Sequence, residues 1–329
     1  MKLTLATTVA VVVTGLFSST LPAADNYVAP RTQWGQPDLQ GVWNFSSYIP
    51  MQRNPAFGSQ QTMSREDFER LRAGTEAAYE ALNESGVGGY NTFWVESAGR
   101  GDNLRTSLIV YPEDGRIPDR VEGVTIQSGG LGPDFNGERP VLVTVGGIGK
   151  DGPEDRGLSE RCIVGFNSGP PFTPSMYNNN LQIIQNRDHA VLITEMIHDA
   201  RIVPLDGRDH IDEDIRLWTG DSRGYWDGDT LVVVTRNFNG LTQSFAVFGS
   251  AEKKVLTERF TRVDEFTVNY EFTVDDPATF TDRITAVVPM AKVDGLMYEY
   301  ACHEGNYGMV NILRGERIEE QRLATGTEQ

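Results

Sequence analysis

Alternation of apolar and polar side chains dominates the chain from about residue 107 onward. Between Thr257 and Val274 it continues through two segments, as expected for strands with one buried and one solvent-facing side. Turn sequences such as Asp227-Gly228 and Asp294-Gly295 separate such segments. The pattern predicts strands at 107–111, 141–145, 181–185, 190–203, 230–235, 254–263, 267–274, 284–288 and 296–301. Successive hairpins predict a mainly β fold, an antiparallel lipocalin-like barrel or sandwich with long loops.

One segment near the N-terminus has helical rather than strand periodicity. Residues 64–82 place Phe68, Leu71 and Ala77 on one face, and Ser64 is a suitable N-cap with Asp67 three residues on. A second, short helix is predicted at 316–323. Residues 25–61 are rich in Pro, Gln, Asn and Ser and predict an extended arm. We therefore expect an N-terminal arm and helix (25–105) packed with a β core (106–329).

The first 24 residues have the order of a secretory signal peptide. Lys2 precedes an apolar run from 3 to 17, and small residues follow as far as Ala24. The apolar run is too short for a comfortable transmembrane helix. We expect residues 1–24 to be removed and the mature protein to be periplasmic or secreted, with no membrane insertion.

Charge and cysteine content restrict the partners and the compartment. The formal net charge is −17, so neither nucleic acid nor an anionic membrane is an expected partner. We expect a small-molecule ligand or substrate instead. The chain contains two cysteines, Cys162 and Cys302, and in an oxidising compartment these predict one disulfide.

Candidate chemistry is densest between residues 195 and 226. If 190–203 is one regular strand, Glu195, Asp199 and Arg201 share one face, and His198 lies on the other among apolar neighbours. Burial would keep His198 neutral near pH 7, which suits a general base. A core histidine bonded to a carbonyl explains the same pattern, and the sequence leaves that alternative open.

Two further groups extend this candidate site. Asp221 and Arg223 lie on a glycine-flanked turn between two tryptophans, an arrangement that can hold a planar or sugar-like ligand, although a structural role for the tryptophans remains open. Polar residues also follow the last predicted strand, at 303–307. The candidate catalytic residues are His198, Asp199, Arg201, Asp221, Arg223 and His303; the candidate ligand-binding residues are Glu195, Trp218, Trp226, Glu304 and Tyr307.

A metal site has less support from the sequence than the acid/base site. His198, His210 and His303 with Glu195 or Glu304 would supply two histidines and a carboxylate, but no tight ligand spacing is present. We therefore expect neither a metal nor a cofactor.

Several stretches resemble a known group of proteins. PDLQGVW at 37–43, HDARIVPLDGRDH at 198–210, GDSRGYWDGDTL at 220–231 and YACHEGNYG at 300–308 resemble a widespread family of exported bacterial proteins without an assigned function. Gly41-Val-Trp43 is also similar to the Gly-x-Trp opening of lipocalin-like barrels. The family resemblance covers most of the mature chain and implies export. It implies no activity, substrate or catalytic residue.

These observations favour a cofactor-independent exported enzyme. It would perform acid/base chemistry, as a lyase, isomerase or hydrolase, on a small organic or sugar-like substrate in a β-barrel cavity. Two alternatives remain open: a lipocalin-like binding protein without catalysis, and an envelope interaction protein whose charged cluster is structural. The sequence indicates no substrate and no oligomeric state.

Overall fold

A computed structural model describes residues 27–84, 96, 103–124 and 151–326 of the 329-residue chain. The predicted leader at 1–24 and the predicted strand at 141–145 lie outside these residues. The described strands are β1 (Gly41–Asn44), β2 (Ile109–Tyr111), β3 (Asn180–Gln185), β4 (His189–Thr194), β5 (Ala200–Pro204), β6 (Asp221–Asp227), β7 (Thr230–Arg236), β8 (Val255–Arg262), β9 (Thr267–Asp275) and β10 (Ile284–Val293). The described helices are α1 (Arg65–Glu84) and α2 (Tyr307–Thr325).

The strands form one antiparallel sheet that curls into a nearly closed barrel. Its order is β5-β4-β3-β1-β10-β9-β8-β7-β6, and β2 pairs with β10 beside this path. The predicted mainly antiparallel β class is confirmed. The arm expected at 25–61 contributes β1, which pairs with both β3 and β10 and so joins the two halves of the sheet.

The barrel closes at β5 and β6 through side-chain packing. Because the path contains nine strands, each antiparallel to the next, its first and last strands run in the same direction. No backbone hydrogen-bond ladder joins β5 to β6 in the described sheet. Gly224 in β6 makes the close approach possible. A Cβ at this position would lie 2.7 Å from Leu205 Cδ2 and 2.8 Å from Val203 Cγ1.

Large side chains fill the barrel interior. Trp43, Phe260, Tyr270 and Phe272 are fully buried there, each on the inward face of its strand. The indole N–H of Trp43 donates to the carbonyl of Leu39 at 2.8 Å, which satisfies its one polar group. The interior is therefore a packed core, and space for a ligand has to be sought at the barrel ends.

One barrel end carries most of the candidate residues. We call it the loop-covered end: β1, β4, β7 and β9 finish there, and β3, β5, β6, β8 and β10 begin there. Segments 157–179 and 237–254 lie over it. Phe172 from the first segment donates its backbone N–H to the Tyr270 hydroxyl at 3.1 Å, which attaches that segment to the barrel core.

The predicted single strand at 190–203 is wrong. The chain leaves β4 after Thr194, makes a 3-10 turn at Met196–His198, and begins β5 at Ala200. Ile197 and His198 adopt φ values of 64° and 48° within this turn. Glu195, Asp199 and Arg201 therefore do not share one strand face.

The structure confirms some of the other predicted elements and corrects others. α1 and the Cys162–Cys302 disulfide confirm the predicted helix and bond. The predicted strand at 296–301 is irregular chain, and the C-terminal helix is longer than expected. Within the described ranges, neither helix combines the length and apolar character needed to cross a membrane.

Candidate functional site

The sequence-predicted residues lie in separate places. His198 and His303 form a surface pair, Arg201 lies inside the barrel, and Asp221 with Arg223 lies at the start of β6. The structure thus brings together the two histidines, which are distant in sequence. It does not bring them to the arginines.

The histidine pair is exposed. The ring centroids of His198 and His303 are 6.0 Å apart, and His198 Nδ1 lies 3.6 Å from Glu299 Oε1 and 3.3 Å from the carbonyl oxygen of Tyr300. The His198 side chain is 40% exposed, so the predicted burial among apolar neighbours is wrong, because the turn at Met196–His198 directs it outward. The ring of His303 is exposed as well.

The neighbours of this pair are also on the surface. Glu304 and Tyr307 are both exposed, and Tyr307 begins α2. In the part of the chain that the structure describes, no three histidine, cysteine or acidic side chains are grouped so that they could hold a metal ion. The histidines therefore form an open surface patch with a carboxylate beside it.

A small satellite core supports the turn that carries His198. Met196 and Ile197 pack there with Cys162, and Cys302 lies against them. Positive φ is strongly unfavourable for a β-branched residue, and Ile197 has φ of 64°. The backbone is thus strained immediately before His198, a feature that is often found at functional sites.

Glu195 and Asp199 flank that turn without joining it to Arg201. Glu195 accepts a 2.8 Å hydrogen bond from Asn180 Nδ2, and its burial raises its pKa, with a further contribution from the nearby Glu96 carboxylate. Asp199 Oδ1 accepts from the Ala200 backbone N–H at 3.0 Å. Glu195 is therefore tied to the start of β3 and Asp199 to the start of β5.

Arg201 is part of a buried polar group in the barrel core. Its guanidinium donates to both oxygens of Glu258, at 2.7 and 2.9 Å, and the Tyr270 hydroxyl donates to Glu258 Oε1 at 2.8 Å. The side chain of Glu258 is 0% exposed. A buried carboxylate needs such pairing to remain charged. Arg201 therefore forms a structural ion pair. If its guanidinium bound a ligand instead, the buried Glu258 carboxylate would lose its charged partner.

Asp221 and Arg223 belong to a second network with His210. Asp221 accepts from Arg223 Nη1 at 2.6 Å, and its other oxygen lies 2.8 Å from His210 Nδ1. Arg223 Nε also donates to the carbonyl of Asp209 at 2.9 Å. These contacts attach the loop before β6 to the barrel. Trp226 packs against the main core, which agrees with a structural role for this tryptophan rather than a ligand-binding one.

A cavity of about 360 Å³ opens at the loop-covered end. Its walls are mainly apolar and come from five separate stretches of the described chain, around residues 51, 117, 164–174, 218 and 238–254. They include Phe166, Pro170, Trp218, Phe238 and Phe245, with polar contributions from Thr242, Gln243, Ser244 and Lys254. Its volume falls in the usual range for small-ligand sites, about 300–1,000 Å³. Trp218 is thus the one candidate ligand-binding residue among those lining this described cavity.

Lys254 is the charged residue of the cavity wall. The residue is 4% exposed, its Nζ lies 3.4 Å from the Pro170 carbonyl oxygen and 3.5 Å from that of Gln243, and it forms no ion pair with a described residue. Burial lowers its pKa from 10.5 to about 7, although the Asp276 and Glu258 carboxylates oppose this shift. An amine with this pKa is partly neutral at physiological pH.

Lys254 is not among the candidate residues predicted from the sequence, although the strand pattern indicates its inward position. Lys254 shares strand parity with Leu256, Glu258 and Phe260, which all face the barrel interior. Its neighbour Lys253 is exposed, whereas Lys254 is the first residue of the strand predicted at 254–263. Applying the period of two across the predicted strand start would have placed both Lys254 and Glu258 inside.

A second groove lies beside α1. It has a volume of about 480 Å³ and is lined in part by Arg53, Phe57, Met63 and Arg116. Arg53 Nε donates to Thr106 Oγ1 at 2.9 Å, and Arg116 Nε donates to the Arg53 carbonyl at 3.4 Å. The groove contains no lysine, histidine or carboxylate among its described lining residues, so it offers no proton donor or acceptor near neutral pH.

Comparison of the chain with protein-family models, with curated proteins and with solved structures found no match.

Proposed function

We propose that this protein is an exported enzyme that performs acid/base chemistry on a small, mainly apolar organic molecule bound at the loop-covered end. The reactive group is the amine of Lys254. One observation carries the proposal: a buried lysine that forms no ion pair with any described carboxylate lies in the wall of an apolar cavity of about 360 Å³.

The protonation state of Lys254 makes the chemistry feasible. With a pKa of about 7, roughly half of the amine is neutral at neutral pH. An ordinary lysine has only about one neutral amine in a few thousand under the same conditions. A base whose pKa lies near the working pH transfers protons most effectively, and proton abstraction begins many lyase and isomerase reactions.

Two features support an exported location. The N-terminal sequence has the order of a secretory signal peptide. The Cys162–Cys302 disulfide fits an oxidising compartment.

A binding function without chemistry is the second candidate. Apolar wall residues such as Phe166 and Phe245 favour a lipocalin-like role, in which a small ligand is held by its hydrophobic surface. In that case Lys254 would contribute only a polar contact. A ligand that is recovered unchanged after incubation would support this function over catalysis.

The histidine pair is an alternative catalytic location. It is favoured by the strained φ of Ile197 beside the exposed His198. Because His198 and His303 lie on an open surface, such a site would act on a substrate too large for the cavity.

A product screen with matched variants separates these functions. The purified protein is incubated with a panel of small carbonyl and unsaturated compounds, and products are measured by mass spectrometry. Lys254→Met should lose at least tenfold in rate, whereas Lys253→Met and His198→Ala should match the wild type. If His198→Ala abolishes turnover and Lys254→Met does not, the histidine pair is the active site. Turnover unchanged in all three variants would contradict both locations.

A further inference from the structure

We propose that the amine of Lys254 reacts covalently with its substrate, forming a Schiff base with a neutral aldehyde or ketone bound in the cavity. This inference rests on the proposed function and names the substrate class of the same site.

The contacts of Lys254 suit a nucleophilic amine. A neutral amine has two N–H groups and one lone pair, and the carbonyl oxygens of Pro170 and Gln243 can accept the two N–H groups. No described carboxylate forms an ion pair with the nitrogen, and burial outweighs the more distant charges of Asp276 and Glu258 that favour the ammonium ion. A desolvated lysine in a hydrophobic pocket is one of the recognised ways to activate this nucleophile.

The reaction balances without an oxidant or a reductant. The nitrogen lone pair attacks the carbonyl carbon, the C=O π electrons move to oxygen, and a proton passes from nitrogen to oxygen to give a carbinolamine. The hydroxyl group then leaves with a proton as one water molecule, and a C=N bond forms. Addition of water reverses both steps and frees Lys254.

Ser244 is suited to assist at the substrate oxygen. It lines the same cavity, it is 1% exposed, and its hydroxyl makes no hydrogen bond to any described residue. A buried hydroxyl without a partner carries a cost of about 1–3 kcal/mol, which a bound carbonyl oxygen would remove. Ser244 can therefore donate a hydrogen bond to the carbonyl that Lys254 attacks.

The charge of the cavity selects among carbonyl compounds. No arginine or histidine lines it within the described residues, and Lys254 is its one cationic group. A keto acid would need a second cation for its carboxylate, because reaction uses the neutral form of the amine. Apolar aldehydes and ketones need none, so they are the expected substrate class.

Reductive trapping on the wild-type protein tests the proposal. The protein is incubated with benzaldehyde and sodium cyanoborohydride at neutral pH, and the modified lysine is identified by peptide mapping. We expect one benzyl group on Lys254, added at least tenfold faster than on the exposed Lys253, because the pKa of Lys254 is lowered to about 7. Glyoxylate under the same conditions should modify Lys254 no faster than Lys253. The Lys253→Met protein should give the same Lys254 adduct.

A binding measurement keeps the two proposals separable. Benzyl alcohol, which has a similar shape but no carbonyl, should quench or shift the fluorescence of Trp218 in the cavity wall, and Trp218→Phe should lose that change. Benzyl alcohol binding without trapping at Lys254 would overturn the Schiff-base inference and leave the cavity as a binding site. Neither binding nor trapping would overturn both proposals.

Discussion

Lys254 Nζ lies 4.1 Å from the centroid of the Phe238 ring, inside the wall of the cavity at the loop-covered end. The ring face attracts the protonated amine, a contribution of about 0.5–2 kcal/mol. Burial acts in the opposite direction and dominates, since the pKa of Lys254 is lowered to about 7. The result is an amine that changes charge near neutral pH at the wall of an apolar chamber.

The lowered pKa of Lys254 should make stability depend on pH. Between about pH 7 and pH 10 the unfolded chain holds one more proton than the folded chain, so the free energy of unfolding should rise with pH. The expected slope from this group is up to about 1.4 kcal/mol per pH unit. Urea unfolding of Lys254→Met should lack this contribution, while Lys253→Met should follow the wild type. Equal slopes in wild type and Lys254→Met would contradict the lowered pKa.

Breaking the buried Arg201–Glu258 pair should destabilise the barrel strongly. Arg201→Met leaves Glu258 as an unpaired buried carboxylate, and we expect a loss of about 3–5 kcal/mol in urea unfolding. The double variant Arg201→Met with Glu258→Leu should recover much of this loss. Glu320→Gln removes a surface pair with Arg317 and should change stability by less than about 1 kcal/mol. A double variant as unstable as the single one would contradict the pairing argument.

The closure of the barrel should be sensitive to one methyl group. Gly224→Ala places a Cβ within 2.8 Å of Val203 and Leu205, and we expect a destabilisation of about 1–3 kcal/mol from overpacking. Gly74→Ala in α1 is the matched control, because nothing lies within 4 Å of the added atom. It should stabilise the helix by about 0.5–1 kcal/mol. Equal effects at both positions would show that β5 and β6 do not pack as described.

Reduction of the disulfide should release the C-terminal helix before the barrel unfolds. α2 buries none of its residues; besides the covalent link at Cys302, this region is attached through hydrogen bonds such as those from Asn306 Nδ2 to the Glu160 carbonyl and from Arg317 Nη1 to the Asp151 carbonyl, both 2.9 Å. Limited proteolysis under dithiothreitol should therefore cut between about residues 294 and 326. The oxidised protein is the control. Cooperative loss of the whole fold on reduction would contradict this view.

The strand pattern was accessible from sequence because burial on one face imposes a period of two. The turn at Met196–His198 was not, since Met196 and Ile197 continue the apolar pattern and nothing in the sequence indicates positive φ at an isoleucine. Proximity of His198 to His303 follows from contacts around the disulfide, which the cysteine count did predict.

The cavity was beyond sequence reasoning for a different reason. Its walls include Pro170, Trp218, Phe238 and Lys254, from three stretches of chain that only the closure of the barrel and the packing of long loops bring together. The packing of loops against one another produces no periodic pattern in the sequence from which a cavity could be predicted. The inward position of Lys254 was the one part that strand parity could have revealed.

The reactivity of Lys254 as a function of pH is the decisive measurement for a neutral amine in the cavity wall. Trace labelling with acetic anhydride, followed by peptide mapping, compares Lys254 with the exposed Lys253 in the same molecule. We expect the labelling of Lys254 to reach half its maximum near pH 7, well below the ordinary lysine value of 10.5. Labelling of Lys254 that follows Lys253, or no labelling of Lys254 at any pH, would contradict a neutral, accessible amine at this site.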